Sequence, residues 1–254
     1  MTAPLHHPLD HVAWTSLTGP HAGLAVGSGR ARRYHPELSP FAALAPGGDP
    51  GAWDDLRALV AAGETVVLFG DTPRTGSLPA GWEVVAEGAG VQMTATDGLV
   101  GAGDAEVLVL GDADVPEMLD LVARTEPGPF TARTPALGTY RGIRHGGRLV
   151  AMAGERMHPA GWTEISAVCT DPELRGRGLA ARVVLAVVLG VRARGETPLL
   201  HAAASNVGGI RLYGALGFTQ RCEMVFSALR AGPAPGSRSP RPSAPASTPA
   251  APGG

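Results

Sequence analysis

Residues 161–182 read Gly161-Trp-Thr-Glu-Ile-Ser-Ala-Val-Cys-Thr-Asp-Pro-Glu-Leu-Arg-Gly-Arg-Gly-Leu-Ala-Ala-Arg182. An apolar strand, Glu164 to Thr170, enters a short turn, and the turn delivers Arg175-Gly176-Arg177-Gly178-Leu179-Ala180 to the start of a long apolar helix. Two glycines at a helix start let backbone approach a ligand without intervening side chains. The free N–H groups of a helix's first turn, at its positive dipole end, form an anion site. Arg175 and Arg177 add charge and donors suited to phosphate. Taken from its residues alone, the stretch is a pyrophosphate cradle.

The spacing Arg-x-x-Gly-x-Ala at Arg175, Gly178 and Ala180 resembles the acyl-CoA signature of the GNAT superfamily of N-acetyltransferases. A second segment, Ser205-Asn206-Val-Gly-Gly-Ile-Arg-Leu-Tyr213-Gly-Ala-Leu-Gly217-Phe218, resembles that family's closing segment, in which a strand yields to a Tyr-bearing helix ending at Gly-Phe. Glu164 to Thr170 is similar to the branch containing glycine N-acyltransferase-like enzymes. The resemblance covers roughly residues 105–228 and implies an α+β fold with a central, mixed but mostly antiparallel sheet flanked by helices. It also implies a splayed bulge at the end of the strand before the cradle, and acetyl-CoA as acyl donor.

The same residues satisfy a loose Rossmann pattern, Gly176-x-Gly178-x-x-Ala181, which is weak by itself. Asp171 to Arg175 separates the strand from the first glycine, and the next strand ends Ala204-Ser205-Asn206 with no acid for a ribose. A dinucleotide-binding oxidoreductase is therefore the weaker reading, and a non-catalytic acyl-CoA sensor is the other alternative.

Working outward from this centre, Leu137 to Arg144, Arg148 to Arg156 and Trp162 to Thr170 are strand candidates, the first two joined by a His145-Gly146-Gly147 turn. Ala105 to Leu110 is another, and a helix begins at Asp114-Val-Pro-Glu117 with Pro and acids in its first turn. The helix over 178–194 is apolar on nearly every side, as packing on a sheet requires. Leu199 to Ala203 is the next strand, Asn206 caps the Tyr213 helix, Gly217 ends it, and Phe218 to Phe226 closes the sheet. From 105 onward the order is β-α-β-β-β-α-β-α-β. Residues 1–100 carry a helix over 54–62 and short strands at 65–69, 82–86 and 91–94, and are expected to form an added N-terminal α/β lobe, a degenerate copy of the same fold. The acetyltransferase domain is expected over 101–230, and the Pro/Ala/Ser-rich stretch 231–254 as a disordered tail.

Bulk properties narrow the classes. A net charge of −2 argues against general nucleic-acid binding. All 21 basic residues are arginine, so the chain has no lysine side chain of its own to acetylate. Cys169 and Cys222 sit in apolar runs and imply no disulfide framework. The first residues show no signal-peptide pattern, and no run reaches the ~18 apolar residues of a membrane span, so a cytoplasmic protein with no membrane partner is expected. Histidines 6, 7, 11 and 21 match no standard metal-ligand spacing and are expected at the surface.

The chemistry implied by the resemblance is acetyl transfer from the thioester to an amine acceptor, small molecule or peptide. Tyr213 is placed as general acid, and Glu164, on the strand face of Ser166 and Thr170, as general base, with Glu155 and His158 as alternatives. Backbone from Val168 through Cys169 to Thr170 is expected to hold the pantetheine arm, with the Val168 N–H on the thioester carbonyl. Gly176, Gly178, Leu179 and Ala180, with Arg175 and Arg177, are expected to hold the pyrophosphate, and Asn206 to touch the arm. Neither the acceptor's identity nor the oligomeric state is legible.

Overall fold

The computed structural model describes residues 7–70 and 78–233. An N-terminal segment carries α1 (Val12–Leu17) and a small antiparallel sheet of β1 (Ala25–Val26), β2 (Ala31–Tyr34) and β3 (Ala42–Leu44). Then follow α2 (Gly51–Leu59), β4 (Thr65–Phe69), β5 (Trp82–Ala95), β6 (Val107–Leu110), α3 (Val115–Thr125), β7 (Tyr140–His145) and β8 (Arg148–Glu155). The chain continues through β9 (Trp162–Thr170), α4 (Leu179–Ala193), β10 (Thr197–Ala203), α5 (Val207–Leu216) and β11 (Phe218–Ala231). The main sheet has eight strands in the order β4-β11-β5-β10-β9-β8-β7-β6, and only β9 and β10 run parallel.

The division expected near residue 100 runs through this sheet. Strands β4 and β5 come from the N-terminal hundred residues, and β5 lies between β10 and β11, paired antiparallel with both. Strand β5 is one continuous strand where two short ones were expected. The interruption in its pattern, Glu87-Gly88-Ala89-Gly90, has a packing cause: a Cβ on Gly90 would lie 2.1 Å from the Phe226 ring and 3.0 Å from the Ala202 carbonyl. Among the described residues of that segment the small sheet β1-β2-β3 holds the remaining strands, and these make no second copy of the eight-stranded fold. Of the proposed tail, residues 234–254 lie outside the described residues, as does His6.

Helix α4 buries Val183, Val184, Val187, Val188 and Val191 on one face of the sheet, against Ile143, Val150, Ile165 and Leu200, with α5 alongside. The other face is covered twice. Met118 and Leu121 of α3 pack on Leu149, Met152 and Cys169. Leu9, Val12, Leu17, Tyr34 and Phe41 of the N-terminal segment pack on Leu199 and Met157. No helix among the described residues is long and apolar enough to cross a membrane.

A polar seam ties the N-terminal segment down. The Tyr34 hydroxyl lies 2.9 Å from both Ser16 Oγ and His21 Nδ1, and Ser16 Oγ accepts the His158 N–H at 2.9 Å. His21, expected at the surface, is 7% exposed, and its ring lies 4.6 Å from that of His158. Burial, then the nearby charge of His158, lowers its pKa to about 4. A histidine whose folded pKa is depressed stays neutral while the unfolded chain takes up the proton, so stability falls as pH drops from about 6.5 towards 4. Between pH 7 and pH 5 the protein should lose about 2 kcal/mol through this group. Urea titrations at the two pH values check this, with the loss expected to shrink in His21→Gln.

Candidate active site

Strands β9 and β10 start as neighbours and then part. Their pairing runs from Trp162–Thr197 to Ile165–Leu200 and goes no further, although β9 continues to Thr170 and β10 to Ala203. The cause is visible on the other side of β9. Cys169 pairs with Met152 and Ser166 with Gly154, leaving Ala167 and Val168 opposite the single residue Ala153. Ala167 adopts φ +51°, which only a strongly constrained non-glycine residue tolerates. This is the splayed bulge the resemblance implied. It opens a cleft of about 1250 Å³ through the sheet.

One half of the cleft runs to the cradle. A 3-10 turn, Pro172–Leu174, capped by the Asp171 side chain on the Glu173 N–H, redirects the chain after β9. Gly176 and Gly178 follow at φ +77° and +76°, with nothing within 4 Å of either Cβ position, so this left-handed backbone suits glycine and leaves open space above it. Helix α4 begins at Leu179, and the Arg182 N–H closes its first turn on the Gly178 carbonyl. The N–H groups before it, through Ala180 and Ala181, are those an α-helix leaves without internal partners. Arg175 and Arg177 are exposed, and Arg175 Nε donates to the Thr170 carbonyl at 3.4 Å. Thr170 Oγ1 is buried in the cleft wall with no hydrogen-bond partner among the described residues. An orphaned hydroxyl of this kind costs free energy unless a ligand or water satisfies it. Cradle, bulge and orphan together fit a long ligand with an anionic end.

The other expected residues distribute as follows. Val168, Cys169, Thr170, Arg175, Gly176, Gly178, Leu179, Ala180, Asn206 and Tyr213 all line the cleft. Arg177 stands beside it in the cradle loop. Asn206 serves as helix cap, its Oδ1 accepting the Gly209 N–H at 3.0 Å. Cys169 is buried, and burial pushes its thiol up to about 11, so it is an inert core group. Tyr213 is 7% exposed, packed edge-on against Phe218, and burial raises its pKa to about 12. No described residue hydrogen-bonds its hydroxyl, so that group is free to serve a ligand.

Glu164 departs from expectation. It is completely buried and lies outside the cleft lining. Arg156 Nε donates to its Oε2 at 2.8 Å and Arg156 Nη2 to its Oε1 at 2.5 Å, while His201 Nδ1 lies 2.7 Å from Oε1. Burial would raise this carboxyl, but the charge of Arg156 and the hydrogen bonds from Arg156 and His201 outweigh it and hold the pKa at about 2. A carboxylate so saturated and so acidic is a poor base at neutral pH, and geometry moves Glu164 out of that role. Glu155 is no substitute, being buried and bound to Arg194 at 3.0 Å. His158 lies outside the cleft lining.

Two functional candidates escaped the sequence, Arg156 and His201, both in the cleft wall. Gln92 Nε2 donates to His201 Nε2 at 3.0 Å, while its Oε1 accepts from Arg221 Nη1 at 2.9 Å, so the imidazole proton sits on Nδ1 towards Glu164. The available signals were a charged Glu155-Arg156 pair ending an apolar strand and a lone histidine inside Leu199-Leu-His-Ala-Ala.

A family model described as FR47-like protein matches residues 140–227. A solved structure from Novosphingobium aromaticivorans DSM 12444, assigned as an acetyltransferase of the GNAT family, is 43% identical, with 90% of this chain and 100% of that one covered and a TM-score of 0.82. A GCN5-related N-acetyltransferase from Kribbella flavida is 19% identical over 86% of this chain and 95% of its own, with a TM-score of 0.58. A GCN5-related N-acetyltransferase-like protein from Streptococcus suis 89/1591 is 16% identical over 85% and 92%, with a TM-score of 0.54. The last two share the fold. No curated protein matches the chain.

Proposed function

The chain belongs to the GNAT family of acetyltransferases, and from that premise we propose that it is an N-acetyltransferase moving the acetyl group of acetyl-CoA onto an amine by direct attack in a ternary complex. The observation that carries this is the continuous cleft through the splayed β9–β10 pair, with the glycine cradle at one end and Tyr213 in its wall. The closer likeness to glycine N-acyltransferase-like enzymes, carried by Glu164 to Thr170, remains part of the proposal.

When bound, acetyl-CoA supplies an activated thioester. The N–H groups of Gly176 to Ala180 hold its pyrophosphate at the helix start, aided by the α4 dipole and the arginines. The bulge leaves Val168 without a partner of its own in the β8 register, which supports its N–H as the group that polarises the thioester carbonyl, and Thr170 Oγ1 gains a partner. Tyr213 donates a hydrogen bond to the departing sulfur. With Glu164 saturated by Arg156 and His201, the amine enters neutral or loses its proton to water.

A thermal-shift titration of the full chain with acetyl-CoA, CoA and NAD tests the reading. At a hundredfold excess over Kd, acetyl-CoA and CoA should add ~2.7 kcal/mol of stability and NAD nothing. A shift with NAD alone would overturn it.

A further inference from the structure

We propose that Arg124 and Asp171 are positioning residues for the acyl donor: their ion pair clasps the end of α3 to the turn ahead of the cradle and so fixes the two stretches of cleft wall that flank it. This rests on the acyl-transfer reading above. Neither residue lines the cleft, but each stands next to one that does. Thr125 follows Arg124 and begins the wall stretch 125–129. Thr170, whose hydroxyl has no partner among the described residues, precedes Asp171, and Leu174, Arg175 and Gly176 come soon after it. Helix α3 ends at Thr125, where Glu126 turns the chain at φ +47° with its N–H on the Val122 carbonyl. The wall stretch therefore takes its place from the last turn of α3.

Asp171 does more than its turn requires. Its Oδ1 accepts the Glu173 N–H at 3.1 Å, which caps the 3-10 turn. A neutral Asn or Ser fills that role equally well. Oδ2 is spent on other elements, on Arg124 Nη1 from α3 and on Arg148 Nη2 at 2.9 Å from the start of β8. The Asp171 side chain is 3% exposed, so its charge is costly to hold there without these partners. That charge is also of the wrong sign for a neighbour of an anion cradle. What it ties together is the reason for keeping it. Arg124 is held ready for the tie: its Nε and Nη2 both donate to Asp120 Oδ2 one turn back on α3, at 3.2 and 3.0 Å, leaving Nη1 for Asp171. Arg148 shares the carboxylate, but neither of its chain neighbours lines the cleft, so it serves as an internal control.

Charge and position predict opposite effects. Asp171→Asn keeps the cap and removes a negative charge close to the cradle, so charge alone would tighten the binding of CoA. Loss of the clasp would loosen it, because the walls would no longer be held at one separation.

Isothermal titration of the full chain with CoA, beside urea denaturation of each variant, decides between them. Asp171→Asn and Arg124→Gln should each raise the Kd for CoA about tenfold, and the double variant should be little worse than either, since both break one tie. Arg148→Gln should change the Kd less than about twofold. Arg124→Lys, which keeps a charged donor for Asp171, should recover most of the affinity. With acetyl-CoA and an amine that the wild type accepts, Asp171→Asn and Arg124→Gln should raise the KM for acetyl-CoA by a similar factor and leave kcat within about threefold. An unchanged or lower Kd in folded Asp171→Asn overturns the proposal. So does an equal loss in Arg148→Gln, which would assign the effect to the neutralised carboxylate and not to the tie with α3. If Asp171→Asn does not fold, a wild-type Kd in Arg124→Gln overturns the proposal by itself. Failure of the wild type to bind CoA would instead bring down the acyl-transfer reading, and this proposal with it.

Discussion

Tyr213→Phe should lower kcat by about 100-fold while leaving the Kd for acetyl-CoA unchanged. The size follows from the proton balance. General acids contribute ~10²- to 10⁴-fold, most when their pKa is near the working pH. Burial has pushed Tyr213 to about 12, well above a free thiol at ~8.5, so complete transfer to the leaving thiolate is uphill. A hydrogen bond that strengthens as charge grows on sulfur remains, and this places the effect at the lower end. The same shift fixes the pH profile: no alkaline loss from this group is expected below pH 10, because the hydroxyl stays protonated. Stability should change little, since no described residue bonds the hydroxyl and the ring keeps its contact with Phe218. Burst and steady-state thiol release on the variant check the prediction. An unchanged kcat would remove Tyr213 from the chemistry and favour a protein that binds acyl-CoA without using this group.

The cradle end of the cleft was legible because its logic is local. A strand, a turn, two left-handed glycines and a helix start occupy consecutive residues, and Asn206, Tyr213 and Gly217 repeat that economy one helix later. The half of the cleft beyond the bulge is assembled from remote pieces. Arg156 follows the end of β8, His201 lies in β10, Phe226 in β11 and Phe41 at the edge of the N-terminal segment, and no spacing links them. The boundary expected at residue 100 has a similar origin. Strand β5 carries no sign in its own residues that it will insert between β10 and β11, since that follows from unpaired edges on strands more than a hundred residues away. Even the bulge is a property of two strands: Ala167 and Val168 look like ordinary strand residues until Ala153 is left opposite both. Glu164 was misjudged for the same reason, because its partners come from either side of β9: Arg156 just past the end of β8, and His201 in β10.

Those partners make Glu164→Ala the most damaging single substitution expected for stability, at about 3–5 kcal/mol. Removing the carboxylate leaves the Arg156 guanidinium buried without its counter-charge and takes the acceptor from His201 Nδ1. Against a typical stability of ~5–15 kcal/mol, that is a large share. Urea denaturation at pH 7 measures it. The loss should come from the orphaned charge more than from the missing contact, because a buried pair roughly cancels its own desolvation cost. A double variant, Arg156→Leu with Glu164→Leu, should therefore be more stable than Glu164→Ala alone. A double variant less stable than the single one would show that the pair contributes outright. The pair also has an acid signature. Glu164 is held at about 2, below its ordinary value, so the stability it confers is complete above pH 4.5 and is lost as pH falls through 2. Kinetics then separate this role from that of a base. If Glu164 only holds Arg156 and His201 in place, folded Glu164→Gln should alter kcat less than tenfold. A kcat loss of 100-fold or more at an unchanged KM would return Glu164 to the chemistry.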